Sequence, residues 1–598
     1  MKTLSFLIIL FFLPSLASEE SKYKPHYPIY TQEQLNEMIN RYKSMNESDI
    51  EQSTNPINSS ENERAITTKN ASESEVHAAI NPTNPLNFVL SPIMSGQEGF
   101  ETPIYYSMDG GQTWNLSNFK PSPPFDFQAI VGGGDPVFVF DKNGTVYYSW
   151  INLAITQQGY IAGTYSAKST DGGENWEFIN ALDEINFSTG EGIMLDKQWM
   201  ACDLNTDESN PYSANIYISA VRQSSEGLNL GLYRYSQESQ KFDFLRNINS
   251  VEKSYFQFAT IDVDDDSKVH VTFFGANGQY GMTDQSLYHA VFSDGGETLV
   301  KETKITDVFV DKMQSETQGS TNGIDGLGRD YPSPYMSVGP NDLEGNVPVY
   351  LTWSSSGINE PSDDRSNVYF VRSLDGGLAW ETPRDLNPES ENQGIQEFYP
   401  AISVNDAGVI GISYYDRRLA TDGTLETHYV LKLSFDNGES FGSPIFLSST
   451  PSDFNQFSDK GGNIDFGIGE YNALILTDTE AIAFWGDGRK GNNDTDIYGA
   501  WVDLKPSSIS PSKVNGLFTN FKINSISPNP SSDIIHFDLN NSNQDFTVEI
   551  ITTTGTKLFS TKMSGISNEI DINSLSSGAY LLRVSHNGAY AIKQFIKE

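Results

Sequence analysis

The octapeptide SMDGGQTW (Ser107–Trp114) returns as STDGGENW (Ser169–Trp176), SLDGGLAW (Ser373–Trp380) and SFDNGESF (Ser434–Phe441), with a degraded copy, FSDGGETL, at Phe292–Leu299. Repetition at this interval constrains the fold more than any local pattern. Each copy marks one unit that cannot bury its faces alone and must stack on its neighbours. The aspartates Asp109, Asp171, Asp294, Asp375 and Asp436 are separated by 62, 123, 81 and 61 residues. The widest gap is two ordinary ones, so one copy has eroded near residue 232, within LYRYSQESQKF (Leu232–Phe242).

The box suits a tight turn between strands. Its glycines accept positive φ, its aspartate accepts backbone N–H groups across the turn, and its tryptophan can cover the hairpin and meet a neighbouring unit. No reaction needs five copies of one acid, so these aspartates are read as architecture.

Upstream of the boxes runs a second signature: VFVFDKNGTVYYSW (Val137–Trp150), ATIDVDDDSKVHVTFF (Ala259–Phe274), AISVNDAGVIGISYYDRR (Ala401–Arg418) and NALILTDTEAIAFWGDGR (Asn472–Arg489). An apolar strand meets an Asp, Asn or Gly turn, and a second apolar strand ends in an aromatic and a polar loop. A third strand, the box and a fourth strand complete the unit. Four strands per roughly 60 residues describe a propeller blade. Units begin near residues 75, 130, 197, 255, 330, 396 and 460. The count favours seven blades, with six as the alternative. The last unit supplies only three strands, so a strand near Arg64–Lys69 is expected to complete it, closing the ring and removing its open edge.

The remaining segments are read as follows. Lys2, the apolar run Leu4–Leu13 and Ser15-Leu16-Ala17 form a secretory signal over 1–17, too short to span a membrane. Residues 18–64 hold an amphipathic helix, TQEQLNEMINRYKSM, and a polar linker. The propeller covers 65–505, a Ser/Pro/Asn-rich linker 506–521, and a small Ig-like β-sandwich 522–598. The expected class is all-β. A net charge of −40 disfavours nucleic acid and anionic lipid as partners. The single cysteine, Cys202, rules out an intramolecular disulfide and is expected to be buried. A monomer is expected.

The box repeats resemble the Asp-box, or BNR, repeats of sialidases and sialidase-like propellers. DKQWMACD (Asp196–Asp203) and FWGDGRKGNNDTDIY (Phe484–Tyr498) are similar to uncharacterised members of that group. The C-terminal unit resembles the type A sorting domain of type IX secretion, through SPNPSSD (Ser527–Asp533), TTGTKLF (Thr553–Phe559), LSSGAYLLRV (Leu575–Val584) and the basic tail from Lys593. That resemblance implies translocation across the outer membrane through the secretion machinery, removal of the domain, and release or surface attachment.

Blade topology puts first-strand starts and second-strand ends at one mouth of the channel and the boxes at the other. A ligand is therefore expected at the former. Candidate binding residues there are Asp135, Asp196, Lys197, Arg329, Arg417, Trp485, Asp487 and Arg489, with Trp150 and Trp353 at the same level. If the protein is an enzyme, Glu397, Tyr399 and Asp330 could supply carboxylates and a phenol. A sialidase also needs guanidinium groups to grip the substrate carboxylate. The family places one in an Arg-Ile-Pro-type motif on its first blade. This chain lacks that motif and has no arginine between Arg64 and Arg222. The aspartates of DVDDD (Asp262–Asp266) are read as a solvated turn; no cofactor is expected, and calcium has no specific motif. The principal reading is a secreted module binding extracellular glycan or protein. The alternative is a glycoside hydrolase of exo-sialidase type.

Overall fold

The computed structural model describes residues 62–69, 71–96, 99–207, 209–224, 227–278, 283–310, 324–325, 327, 331–341, 345–358, 366–388, 395–421, 423–454, 468–491, 494–504, 523–539, 545–552, 557–565, 567–586 and 589–597. The helix expected after the signal lies outside them. Among the described residues the architecture is all-β, with one short 3-10 turn at Asp294–Gly296.

Seven antiparallel sheets follow one another along the chain. Their first strands are Ser72–Asn81, Ala129–Phe140, Met194–Cys202, Tyr255–Val263, Tyr335–Val338, Glu397–Val404 and Ala473–Leu476. Each first strand packs on the next, and the last packs on the first, so the sheets form a closed ring around a common axis. The chain moves outward through each sheet in order. The seventh sheet takes three strands from Ala473–Leu476, Glu480–Asp487 and Asp496–Asp503. Its fourth is the N-terminal strand Glu63–Ala65, paired antiparallel with Tyr498–Ala500. Joining both ends of the ring in one sheet removes the edge that would otherwise attract foreign strands.

Second strands are buried over most of their length, and Val146–Thr156 and Val349–Ser355 wholly so, because sheets cover both faces. Their sequences are accordingly continuous apolar runs. Trp150, Trp353 and Trp485 are wholly buried there. Trp150 stacks on Tyr148 at 5.0 Å and Trp485 on Tyr429 at 5.0 Å. These tryptophans pack the sheets together and do not form a rim.

The boxes join third to fourth strands. In the first, Ser107 Oγ donates to Asp109 Oδ1 at 2.8 Å, and that oxygen accepts the N–H groups of Gln112 and Thr113 at 3.0 and 2.9 Å. Trp114 Nε1 donates to the Gly111 carbonyl at 3.2 Å. Against the penalty of burial, these bonds and that from the Thr113 hydroxyl hold Asp109 below the usual carboxylate range. Asp171, Asp375 and Asp436 repeat the pattern with Ser169, Ser373 and Ser434. The degraded copy differs. Without a residue between Ser293 and Asp294, the aspartate itself takes φ 55° and the turn tightens to a 3-10 form.

The DVDDD segment is not a wholly solvated turn. Asp264 is buried and Oδ2 lies 3.0 Å from His270 Nε2, whose Nδ1 meets His289 Nε2 at 3.1 Å. Asp262 Oδ2 accepts the Val338 N–H at 2.8 Å, tying the fourth sheet to the fifth. Cys202 is buried, and burial pushes its thiol up, which keeps it unreactive.

Beyond the ring, Ile523–Ser527, Ile534–Leu539 and Ser567–Asp571 make one sheet. Asp545–Thr552, Lys557–Ser564, Gly578–His586 and Ala589–Lys597 make another. Both contribute to one core that includes Phe537, Val548, Ile570, Leu582 and Phe595.

Candidate functional site

The site arises from a distortion repeated in every first strand or just before it. Glu75, Asp135, Lys197, Phe258, Ser333, Tyr399 and Gly469 all have positive φ, between 40° and 77°. Where the strand pairing spans the position, its register breaks there, as between Gly134 and Val137 and between Asp196 and Trp199. Such a bulge re-aims side chains, and seven at one level do so around the axis.

Two residues further on, Trp199 crosses the axis from the third sheet. Its ring meets His77 of the first sheet at 5.1 Å, Tyr335 of the fifth at 4.9 Å and Tyr471, just before the seventh sheet's first strand, at 5.6 Å, all edge-on. Burial holds His77 neutral, with its pKa near 3, and its Nδ1 accepts the Phe138 N–H at 3.2 Å. Of this layer, Trp199, Tyr335 and Tyr471 line a partly open cavity whose walls also include Asp135, Lys197, Gln198, Phe258, Thr260, Ser333 and Glu470.

Lys197 organises the polar part. Its buried ammonium pairs directly with Glu470, lies 3.6 Å from Glu75 Oε2 and 3.8 Å from Asp135 Oδ1, and sits 5.3 Å from the Tyr471 ring centre. The Lys197 N–H donates to Asp135 Oδ2 at 3.0 Å. Burial alone would lower the pKa of Lys197, but Glu470, Glu75, Asp135 and Asp196 together hold it well above the ordinary range. Burial, then the charge of Glu470, push Glu75 well above the usual carboxylate range against the pull of Lys197. Asp196 points toward a smaller neighbouring cavity, where Gln257 Nε2 donates to it at 3.2 Å. Burial, then Asp135, raise Asp196 to about 7.

Of the residues expected at the mouth, the structure thus brings Asp135 and Lys197 to the cavity and places Asp196 behind them. Arg329 and Asp330 lie outside the described residues. The others are engaged elsewhere. Glu397 is fully buried, accepting from Asn387 Nδ2 at 2.8 Å and pairing with Arg418 at 2.9 Å, while Asp416 pairs with the same arginine. Burial, then Asp416, lift Glu397 to about 8. Tyr399 is buried, its N–H donated to Ser354 Oγ at 2.9 Å, and it does not line the cavity. Asp487 accepts from Trp485 Nε1 at 2.9 Å and pairs with Arg489, which also pairs with Glu63 of the closing strand. These four residues lock the ring.

Arg417 donates to Thr427, Gln396 and the Asp325 carbonyl, between the rings of Phe398 and Phe454 at 5.1 and 5.2 Å. Burial lowers it to about 10. Arg417, Arg418 and Arg489 therefore do not form a guanidinium cluster over the cavity.

Glu75, Glu470, Trp199, Tyr335 and Tyr471 escaped the sequence reading. The available signal was the spacing of the kinked positions, 60, 62 and 61 residues over the first four sheets, in step with the boxes. Among the described residues no group of three His, Cys, Asp or Glu side chains fits a metal ion, and no helix is long and apolar enough to cross a membrane.

Residues 525–598 match the family model of the secretion system C-terminal sorting domain. The protein is accordingly exported to the cell surface or the extracellular space by type IX secretion. No curated protein matches the chain. Among solved structures, it is similar to a protein of unknown function from Dyadobacter fermentans (13% identity, 74% of this chain and 97% of that one, TM-score 0.37). It is also similar to an α-L-arabinanase of Penicillium chrysogenum complexed with arabinobiose (14%, 62% and 93%, TM-score 0.36). A third is an α-L-arabinofuranosidase of Fusarium graminearum with arabinobiose (12%, 58% and 90%, TM-score 0.36).

Proposed function

We propose that residues 62–504 form a seven-bladed, sialidase-like β-propeller with BNR-type turns, and that it serves outside the cell as a glycan-binding module. The observation that carries this reading is the axial cavity itself. Trp199, Tyr335 and Tyr471 supply aromatic surface for the apolar face of a sugar ring, while Gln198, Ser333, Asp135 and Glu470 supply hydrogen-bonding groups beside it. Aromatic surface flanked by fixed polar groups is what a neutral, hydroxyl-rich ligand requires. The test is a glycan array probed with the secreted protein, followed by titration calorimetry. Saturable binding should occur and should fall at least about tenfold in Trp199→Ala, equivalent to about 1.4 kcal/mol, with circular dichroism checking that the variant is folded. An array without a hit sinks the reading.

A specific observation favours a second reading, glycoside hydrolysis. Burial and the neighbouring charge of Glu470 push the Glu75 carboxyl well above the usual range, and an acid with a raised pKa beside a second carboxyl group is a pairing general acid catalysis uses. Turnover of aryl glycosides that disappears in Glu75→Gln would establish it. Sialyl substrates are expected to remain intact, because among the described residues Arg417, Arg418 and Arg489 do not assemble the guanidinium cluster that grips their carboxylate.

A further inference from the structure

We propose that the axial cavity selects a sugar terminus bearing a free ammonium group, a 2-amino-2-deoxyhexose, over one bearing a carboxylate. This deepens the glycan-binding reading and rests on it.

The charge balance comes first. Glu75, Asp135 and Glu470 surround the single ammonium of Lys197, and Asp196 stands behind Asp135. Lys197 is satisfied chiefly by Glu470, which is in direct contact; Glu75 and Asp135 lie further off at 3.6 and 3.8 Å. Even with Glu75 protonated, the group keeps an excess of negative charge. In a buried site that excess attracts a cation and repels a carboxylate far more strongly than it would in water.

Unsatisfied acceptors supply an independent argument. Gln198 is almost wholly buried and lines the cavity, and its Nε2 donates to the Asp135 carbonyl at 2.6 Å. That bond fixes the amide orientation and leaves Oε1 as an acceptor without a donor. Ser333 Oγ, also buried on the cavity wall, is unpartnered too, and its hydroxyl can accept from or donate to a ligand. A buried acceptor without a donor is costly, and a ligand repays that cost by bringing N–H or O–H groups. An ammonium brings three donors; a carboxylate brings only further acceptors.

The aromatic lining points the same way. The Tyr471 ring already faces the Lys197 ammonium, and the Trp199 ring borders the same space, so cation–π attraction is available to a second ammonium. Among the described residues, the guanidinium groups of Arg418 and Arg489, which could hold a carboxylate instead, are tied to Asp416, Glu397, Asp487 and Glu63.

The experiment is calorimetric titration of the full secreted protein at low salt and about pH 6, where a hexosamine is protonated. Three probes are used: the β-1,4-linked dimer of glucosamine, its di-N-acetylated counterpart and sialyllactose. The amine dimer should bind at least about tenfold more tightly than the acetylated one, and sialyllactose should not bind. Asp135→Asn should bring the ratio between the two dimers toward one, and high salt should reduce it. Equal affinities for the two dimers, tightest binding by sialyllactose, or a ratio unmoved by Asp135→Asn overturns the inference while leaving glycan binding intact. If no sugar binds, glycan binding and the inference fall together.

Discussion

The guanidinium of Arg64 donates to the carbonyl of Gly111 at 3.0 Å while lying 4.5 Å from the centre of the Trp501 ring. One side chain thus joins the closing strand of the seventh sheet to the Asp turn of the first. The arrangement recurs. Arg234 reaches the Gly295 carbonyl at 2.7 Å, Lys301 that of Leu378, and Arg372 that of Asn437 at 2.7 Å. Four of the five repeated turns are sockets for a cation from the preceding sheet; at the turn of Asp171, Asn87 Nδ2 takes that place and donates to the Gly172 carbonyl at 2.9 Å. The box is conspicuous in the sequence because its carbonyls must point outward at the same place each time.

Arg64→Ala should therefore loosen the ring at its seam. It removes a charge-assisted hydrogen bond and a cation–π contact, and the expected loss is about 2 kcal/mol. Arg64→Lys should recover only part of it, since an ammonium cannot cover the indole and reach the carbonyl with the same planar fork. Urea unfolding of the three proteins checks this. Equal midpoints for the alanine variant and the parent would show that the contact carries no stability.

Glycine substitutions separate backbone strain from crowding. Gly111 has φ +77°, and a Cβ added there would lie 2.4 Å from Trp501 Cζ2. Gly190 has φ +73° with open space around it. Gly190→Ala should cost only the left-handed penalty, about 1 kcal/mol. Gly111→Ala adds displacement of a packed indole and should cost about 3 kcal/mol. Similar costs at the two positions would mean that Trp501 yields freely.

The boxes made the ring legible from sequence, because a turn with fixed φ and a fixed acceptor needs particular residues. The axial kinks are just as regular in space, yet they are occupied by Glu75, Asp135, Lys197, Phe258, Ser333, Tyr399 and Gly469. Nothing in residue type unites them, since packing from both sides imposes the backbone angle. Asp135 and Lys197 were within reach because charged residues at a first-strand start stand out. Glu75 and Glu470 sit in strand-like runs, SESEVHAAI and IGEYNALIL, where an acid reads as an exposed position. Conversely, Glu397, Asp487 and Arg489 were misplaced because alternation says which side of a strand a residue occupies, not which partner awaits it.

Export can be separated from folding. The sorting domain has its own core, to which residues such as Phe537, Val548 and Leu582 contribute. Deleting 525–598 should leave the ring folded and strand the protein in the periplasm. Fractionation with an antibody against the ring region checks this. Undiminished surface display of the truncated chain would show that another segment carries the address.

Glu73 makes the ring seam sensitive to alkali. It lies on the first strand of the first sheet, fully buried, and accepts from the Thr67 hydroxyl; its N–H donates to Thr495 Oγ1 at 2.8 Å. Burial chiefly, with help from Asp496 and against the Thr67 hydrogen bond, raises its carboxyl from 4.5 to about 8. The folded protein therefore keeps a proton that the unfolded chain releases. Stability from this group is complete below about pH 4.5 and is lost as pH rises through about 8. Glu73→Gln, an uncharged isostere of the protonated acid, should match the parent near pH 5. Above about pH 8 it should exceed the parent by a few kcal/mol, of order 3. Measuring the difference between variant and parent at each pH cancels the opposing contribution of His77, whose depressed pKa destabilises the fold only on the acid side. A constant difference from pH 5 to 9 would mean that Glu73 is already ionised in the folded ring.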